Sequence, residues 1–252
     1  MSDTLPKGLA PPIIEAVLDI DCDMPPAVEV GALESPARSA FRDRYPKFRT
    51  LFLQEHMIEA RADTPPTMSV RRGIQGFQFL QEDEKQLVQV RAQGFSFNRL
   101  APYSSLDDYL PEMERAWRVF VALASPVQVR LVRLRYINRI PLPMPEGRVE
   151  LNEYVKIGPR LPDETKLTLF GFLNRVAAVE TETGNRVNII VTSQPPEEKW
   201  LPVILDIEAV ADGSIEPVDW PAILARIQSL RDLKNMVFSS TLTDQCLKLF
   251  QA

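Results

Sequence analysis

The segment VQVRLVRLRYINRI, residues 127–140, indicates the architecture because apolar and charged side chains alternate along most of its length. In an extended chain, successive side chains point to opposite faces. The apolar residues share one face: Val132, Leu134, Tyr136 and Ile140. Three arginines share the other face: Arg133, Arg135 and Arg139. A strand with one dry and one ionic face predicts an antiparallel sheet that is covered on a single side.

The same alternation recurs on both sides of this stretch. In IIEAVLDIDC, residues 13–22, apolar residues alternate with Glu15, Asp19 and Asp21. In the strand predicted for 202–212, Asp206 and Glu208 occupy the corresponding polar positions. Turn-forming residues separate the remaining predicted strands, which are 50–61, 68–80, 86–100, 166–180 and 185–193.

Two long amphipathic helices complete the pattern. One covers 106–121 and carries Trp117; the other begins at Asp219 and carries Trp220. We expect the two tryptophans to anchor these helices against the sheet. Shorter helical segments are predicted at 36–46, near 151–157 and within 236–250. The last of these would be capped by Ser240, Thr241 or Thr243.

The order of these elements repeats with an offset of about 115 residues, which indicates an internal duplication. Each unit reads as strand, helix, three strands and helix, over 1–125 and 126–252, with an extra helix at the C-terminus. The predicted class is α+β, with one or two curved antiparallel sheets packed on the two long helices in one compact unit. The topology is similar to that of the saddle-shaped TATA-binding proteins, a likeness that carries no activity.

Composition restricts the classes of function. The 252 residues are 45% hydrophobic and carry a formal net charge of -5, so no overall basic field favours nucleic acid. The sequence has no recognisable signal peptide and no apolar run long enough to span a membrane. It therefore predicts a cytoplasmic protein that does not associate with membranes. The two cysteines, Cys22 and Cys246, are too few for a disulfide framework, and we expect both to be buried.

Catalytic signatures are missing from the sequence. His56 is the single histidine, and it is expected to be a half-exposed strand residue. There is no phosphate-binding glycine loop, dinucleotide fingerprint, nucleophile elbow or metal-binding His-Glu helix. The sequence therefore predicts no cofactor and no defined reaction, and it favours a protein that is not an enzyme.

The polar face of the sheet has two interpretations. It is either a solvated lattice of cross-strand ion pairs or a phosphate-binding surface with a metal ion. In the second interpretation, arginines 133, 135 and 139 hold phosphate, and the protein is a phosphohydrolase acting on a nucleotide or polyphosphate. Its metal ligands would be Asp19, Asp21, Asp206 and Glu208.

Asparagine followed by arginine occurs four times, at 98–99, 138–139, 174–175 and 185–186. Asparagine satisfies backbone groups where strands stop, so the pairs are interpreted as strand ends. If the polar face instead binds a ligand, the candidate residues are Arg133, Arg135, Arg139, Asn138 and Arg99. Nucleic acid is not favoured as that ligand, because no aromatic RNA-binding signature accompanies them.

The motifs FSFNRL (95–100), LRYINRI (134–140) and SSTLTD (239–244) together resemble those of a sporadically distributed family of uncharacterised bacterial proteins of about this length. The resemblance implies a stand-alone bacterial protein, linked to defence or to a toxin-antitoxin-like pair, and it supplies no catalytic residues. We therefore expect a non-catalytic cytoplasmic binding module whose partner is another protein or a second copy of itself.

Overall fold

Nine antiparallel strands form a single sheet with helices packed against it, so the predicted α+β class is confirmed. The computed structural model describes residues 12–61, 64–159 and 171–250. The strands are β1 (Ile13–Asp23), β2 (Lys47–Arg61), β3 (Thr64–Leu80), β4 (Gln86–Arg91), β5 (Gly94–Leu100), β6 (Gln128–Pro143), β7 (Leu173–Val179), β8 (Arg186–Ser193) and β9 (Trp200–Ile215). The helices are α1 (Glu34–Phe41), α2 (Leu106–Ala124), α3 (Trp220–Thr241) and α4 (Asp244–Lys248).

The strands follow the order β2-β3-β4-β5-β1-β6-β9-β8-β7. On one side of the centre, β1 pairs with β5, the last strand before α2. On the other side, β6 pairs with β9, the last strand before α3. The central pair is β1 with β6, which places the acidic strand and the arginine-rich strand side by side.

The prediction of one strand over 86–100 is wrong, because this segment is the hairpin of β4 and β5. Residues 92 and 93 form its turn, and Gly94 follows with φ +146°. A Cβ at Gly94 would lie 2.1 Å from the backbone oxygen of Ile20, so only glycine fits beside β1 here. The segment lacks the Asn-Gly or Asp-Gly dipeptide typical of two-residue hairpins, and Gly94 was its only turn signal.

Most other elements lie where they were predicted. Asp219 caps α3 by accepting a hydrogen bond from the backbone N–H of Ala222. In the same way, the Thr243 hydroxyl caps α4 by accepting from the backbone N–H of Cys246. The segment near 151–157 forms a short 3-10 helix at Leu151–Glu153. The strand predicted for 166–180 is observed as β7, which covers Leu173–Val179. Residues 166–170 of that prediction lie outside the described residues.

Helices α1, α2 and α3 pack against the same face of the sheet. Phe41 of α1 contacts Phe79 of β3, with ring centroids 5.1 Å apart, and Trp117 of α2 contacts Phe95 of β5 at 5.7 Å. Trp117 and Trp220 are 1% and 6% exposed, as expected for residues that anchor the helices. The buried residues of both halves form one continuous core.

Both cysteines are buried, as predicted. His56 lies in β2 with its backbone opposite Val70, and its side chain is outside the described part of the structure. Over the described residues, no helix has the length and apolar character needed to cross a membrane.

Candidate functional site

The face of the sheet opposite the helices carries the charged residues, and we call it the helix-free face. Leu134 and Tyr136 are 1% and 0% exposed on the helix side, whereas the side chains of Arg133 and Arg135 are 27% and 43% exposed on the other. The predicted division of β6 into a dry and an ionic face is therefore confirmed. No helix of residues 12–61, 64–159 and 171–250 packs on the helix-free face.

The centre of this face is a compact cluster of two carboxylates and two guanidinium groups. Asp19 lies directly opposite Arg133 in the β1–β6 register. Arg133 donates to Asp21, and Arg91 of β4 approaches the same carboxylate at 2.9 Å. Arg91 also lies 3.4 Å from Asp19, which accepts a hydrogen bond from the hydroxyl of Ser96 and lies 3.8 Å from Arg133. The charges of this cluster balance, so the side chain of Asp21 can be 9% exposed without an uncompensated charge.

A second ion pair links β6 to β9. Arg135 donates two hydrogen bonds to Asp206, at 2.8 and 2.6 Å, in the bidentate geometry that suits guanidinium and carboxylate. These hydrogen bonds raise the pKa of Arg135 above its usual value. The side chain of Asp206 is 9% exposed, so the bidentate pair with Arg135 compensates a largely buried carboxylate.

The four acidic residues proposed as metal ligands do not meet. Asp19 and Asp21 are on β1, Asp206 and Glu208 are on β9, and β6 lies between them. Arg133 and Arg135 of β6 lie between the two acidic strands, where a shared cation would have to sit. Each of the three aspartates instead contacts an arginine. No group of three or more histidine, cysteine, aspartate or glutamate residues is placed to hold a metal among the residues that the structure describes.

Carboxamides extend the lattice to both sides of the central strands. Gln89 donates to Asn98, which donates in turn to Glu15 at 2.8 Å. Across the sheet, Asn188 of β8 donates to Glu208 at 2.9 Å. Long side chains therefore lie over short ones, which explains why polar residues such as Ser96 and Asn98 are buried on a face without helices.

The candidate ligand residues do not all lie on this face. Arg139 does, where it contacts Gln194 and Glu197 of the 194–199 loop. Asn138 is 2% exposed on the helix side and donates to the backbone oxygen of Leu205. Arg99 is also on the helix side, with its guanidinium 5.3 Å from the ring centroid of Tyr109. The helix-free face thus gathers arginines 133, 135 and 139 but not Asn138 or Arg99.

The repeated Asn-Arg pairs do different things at different places. Asn138 lies inside β6, which continues to Pro143, so this pair does not end a strand. Asn185 precedes β8 and donates to Ser229 of α3, while its neighbour Arg186 contacts Asp212. In these two pairs the asparagine is itself buried and donates a hydrogen bond on the helix side, while the arginine lies on the helix-free face.

Sequence reasoning missed several residues of the lattice, including Arg91, Ser96, Asn98 and Asn188. The polar positions of Arg91 and Ser96 could not be assigned from the prediction of one strand over 86–100, because the alternation of faces restarts after the turn. Once the turn at 92–93 is recognised, both residues fall on the polar side by the two-residue alternation. Asn188 could have been found from the alternation of β8, where Val187, Ile189 and Val191 are the buried residues.

Comparison of the sequence with protein-family models gives no match, and comparison with curated proteins gives none either. The family resemblance carried by FSFNRL, LRYINRI and SSTLTD therefore stays a prediction. The chemistry of the site rests on its geometry, which is an array of ion pairs and amides joined across neighbouring strands.

Proposed function

We propose that this chain is a non-catalytic binding module that presents the helix-free face to a partner protein. The observation that supports it is that one face of a nine-stranded sheet carries helices, while the opposite face carries arginines held in place by buried aspartates. Arginine is enriched at protein interfaces, and a side chain already fixed in its bound geometry loses less conformational entropy on binding.

The alternative, a metal-dependent phosphohydrolase, receives less support. It needs carboxylates from neighbouring strands around one cation, and here an arginine strand separates them. Its arginines already contact carboxylates, two of them in the sheet and one in the 194–199 loop. A protein-binding surface does not require these ion pairs to rearrange, because the arginines can contact a partner from the positions they already occupy.

The setting of this function is also a proposal. A bacterial, cytoplasmic role in a defence or toxin-antitoxin-like pair agrees with the motif resemblance and with the missing catalytic signatures. A second copy of the chain is the alternative partner, and the molecular mass of the purified complex separates the two.

The test is affinity purification of the tagged chain from its native source, with two charge-reversal variants. Arg139→Glu changes the helix-free face, where the side chain is 33% exposed and its carboxylate partner Glu197 is 59% exposed. Arg118→Glu is the matched control, because Arg118 is 70% exposed on α2, on the other side of the sheet. We expect a stoichiometric protein with the parent and with Arg118→Glu, and its loss with Arg139→Glu.

Two outcomes would contradict the proposal. One is isolation of the parent chain as a monomer without a partner under mild conditions. The other is a partner that Arg139→Glu retains as well as Arg118→Glu does. Thermal unfolding of both variants checks that each is folded before the comparison is made.

We also propose that the two halves arose by duplication and form a saddle. The strand order supports this, because in each half the first strand pairs with the last and the other strands follow outward in reverse chain order. An experimental structure in which β1 and β5 superimpose on β6 and β9 is the expected result. Superposition of the halves only with a different pairing of strands would contradict it.

A further inference from the structure

A hollow of about 510 Å³ lies on the helix-free face of the C-terminal half, and only Arg133 and Glu208 of its lining belong to the functions considered above. Its lining comes from four adjacent strands, β6, β9, β8 and β7. Three strand spacings amount to about 14 Å. Residues that far apart line one hollow, so the sheet is concave here. The volume falls within the range typical of small-molecule sites.

Two arginines flank an apolar floor in this hollow. Arg133 of β6 and Arg186 of β8 both lie opposite Val210 of β9, so their Cα atoms are about 10 Å apart on either side of it. Val210 is 6% exposed and forms the floor between them. The side chain of Arg186 is long and flexible enough to bring its guanidinium over this floor toward Arg133, so that both arginines can contact one acidic group.

The two arginines differ in how firmly they are held. Arg133 lines the hollow, but it also contacts Asp21 of β1, on the side of β6 away from the hollow, so a ligand would share this arginine with a carboxylate whose side chain is 9% exposed. Arg186 pairs at 2.7 Å with Asp212, where the two side chains are 50% and 67% exposed. An exposed pair of this kind is worth little, so Arg186 can exchange its partner for a ligand at small cost. Arg133 is thus held by a buried carboxylate and would be shared with a ligand, whereas Arg186 can move to one.

The opposite side of the hollow suits an apolar group. Ala177 and Val179 of β7 line it, and Ala177 has no side chain beyond Cβ to fill the space. Glu208 also lines the hollow, but its carboxylate already accepts a hydrogen bond of 2.9 Å from the side-chain amide of Asn188. The site therefore combines two cations, one engaged carboxylate and an apolar wall.

We propose that this hollow binds a small organic anion. Its acidic group, a carboxylate or a phosphate, lies between Arg133 and Arg186, and its apolar body packs on Val210, Ala177 and Val179. The inference goes beyond the proposed function, since the ligand is a small molecule and not a protein.

The test is an NMR titration of the purified chain, without any partner protein, using three probes. Benzoate and phenyl phosphate carry the two kinds of acidic group on the same ring, and inorganic phosphate lacks the apolar body. We expect saturable shifts of the amides of β8 and β9 with at least one organic anion below about 10 mM. The organic anion that binds identifies the acidic group. Inorganic phosphate should bind at least about tenfold more weakly, because it buries no apolar surface.

Two variants separate a built site from diffuse attraction. Arg186→Gln should weaken binding by about tenfold or more, since it removes a lining cation whose own partner is exposed. Arg175→Gln is the matched control: Arg175 is an exposed arginine on the same face, opposite Ile190, and does not line the hollow. It should change binding by less than about twofold.

Three results would overturn the inference. They are the absence of saturable shifts with both organic anions, equal binding of inorganic phosphate and phenyl phosphate, and equal weakening by the two variants. Because no partner protein is present in this titration, its result does not depend on the proposed protein interaction.

Discussion

At the level of single residues, Arg133 and Arg135 of β6 are held in place by the carboxylates that they contact. Arg133 and Arg135 compensate the charges of Asp21 and Asp206. Taken as whole residues, these aspartates are 6% and 7% exposed, and burying either carboxylate without a cation would be costly. The alternation of β6 was sufficient to predict which side the arginines occupy. It could not predict which carboxylate each one contacts, because that depends on strand neighbours that are distant in sequence, such as Arg91 and Asp21.

The two thiols give a prediction about pH. Burial raises the pKa of Cys22 and of Cys246 to about 12, whereas a cysteine in the unfolded chain has a pKa of about 8.5. As the pH rises through this interval, the unfolded chain releases thiol protons that the folded chain retains. The free energy of unfolding should therefore fall, by up to about 1.4 kcal/mol per pH unit for each thiol.

Denaturant unfolding at several values between about pH 8 and pH 10 measures this slope. The Cys22→Ala/Cys246→Ala variant should show a flatter curve than the parent, because it lacks both titrations. Thiol reagents should leave the folded parent unmodified at about pH 8 and label both cysteines after unfolding. Fast labelling of either cysteine in the folded protein would contradict the burial described above.

At the scale of elements, α2 is joined to the sheet by an aromatic cluster. Trp117 packs against Phe95 and Phe120, with centroid distances of 5.7 and 5.4 Å. Its indole N–H donates at 2.9 Å to the backbone oxygen of Pro217, in the loop before α3. This one side chain thus connects α2, β5 and the entry to α3.

Trp117→Ala should lower the free energy of unfolding by about 3–5 kcal/mol, because it leaves a cavity and removes the hydrogen bond. Trp117→Phe should cost less, since the ring remains and only the donor and part of the volume are lost. The control is Val127→Ala, at a residue that is 64% exposed. Denaturant unfolding tests the series, and a Trp117→Ala protein as stable as the Val127→Ala protein would refute the placement of α2.

The elements also show where sequence reasoning reached its limit. Helical spacing was enough for α2 and α3, because each has an apolar stripe and a defined start. It failed for the β4–β5 hairpin, whose turn uses neither asparagine nor aspartate. The decisive restraint there is the close approach of Gly94 to the backbone of β1, a tertiary contact that no local pattern records.

At the scale of the whole molecule, strand order sets what the charged residues can do. Alternation along β1, β6 and β9 predicted that their carboxylates and arginines share one face, and this was correct. Strand order was not predictable from the pattern, since β6 and β9 are far apart in sequence yet adjacent in space. That order places the arginine strand between the two acidic strands and favours a lattice of ion pairs over a metal site.

Cysteine labelling tests most directly whether the helix-free face is accessible in the intact protein. In a background of Cys22→Ala and Cys246→Ala, single substitutions Arg139→Cys and Ile140→Cys place adjacent thiols on opposite sides of β6. Arg139 has a side chain that is 33% exposed, and Ile140 is 0% exposed beneath the helices. We predict rapid maleimide modification of the Arg139→Cys protein and modification of the Ile140→Cys protein only after unfolding. Equal rates, or faster modification at position 140, would contradict the assignment of the two faces and the binding function proposed for the helix-free one.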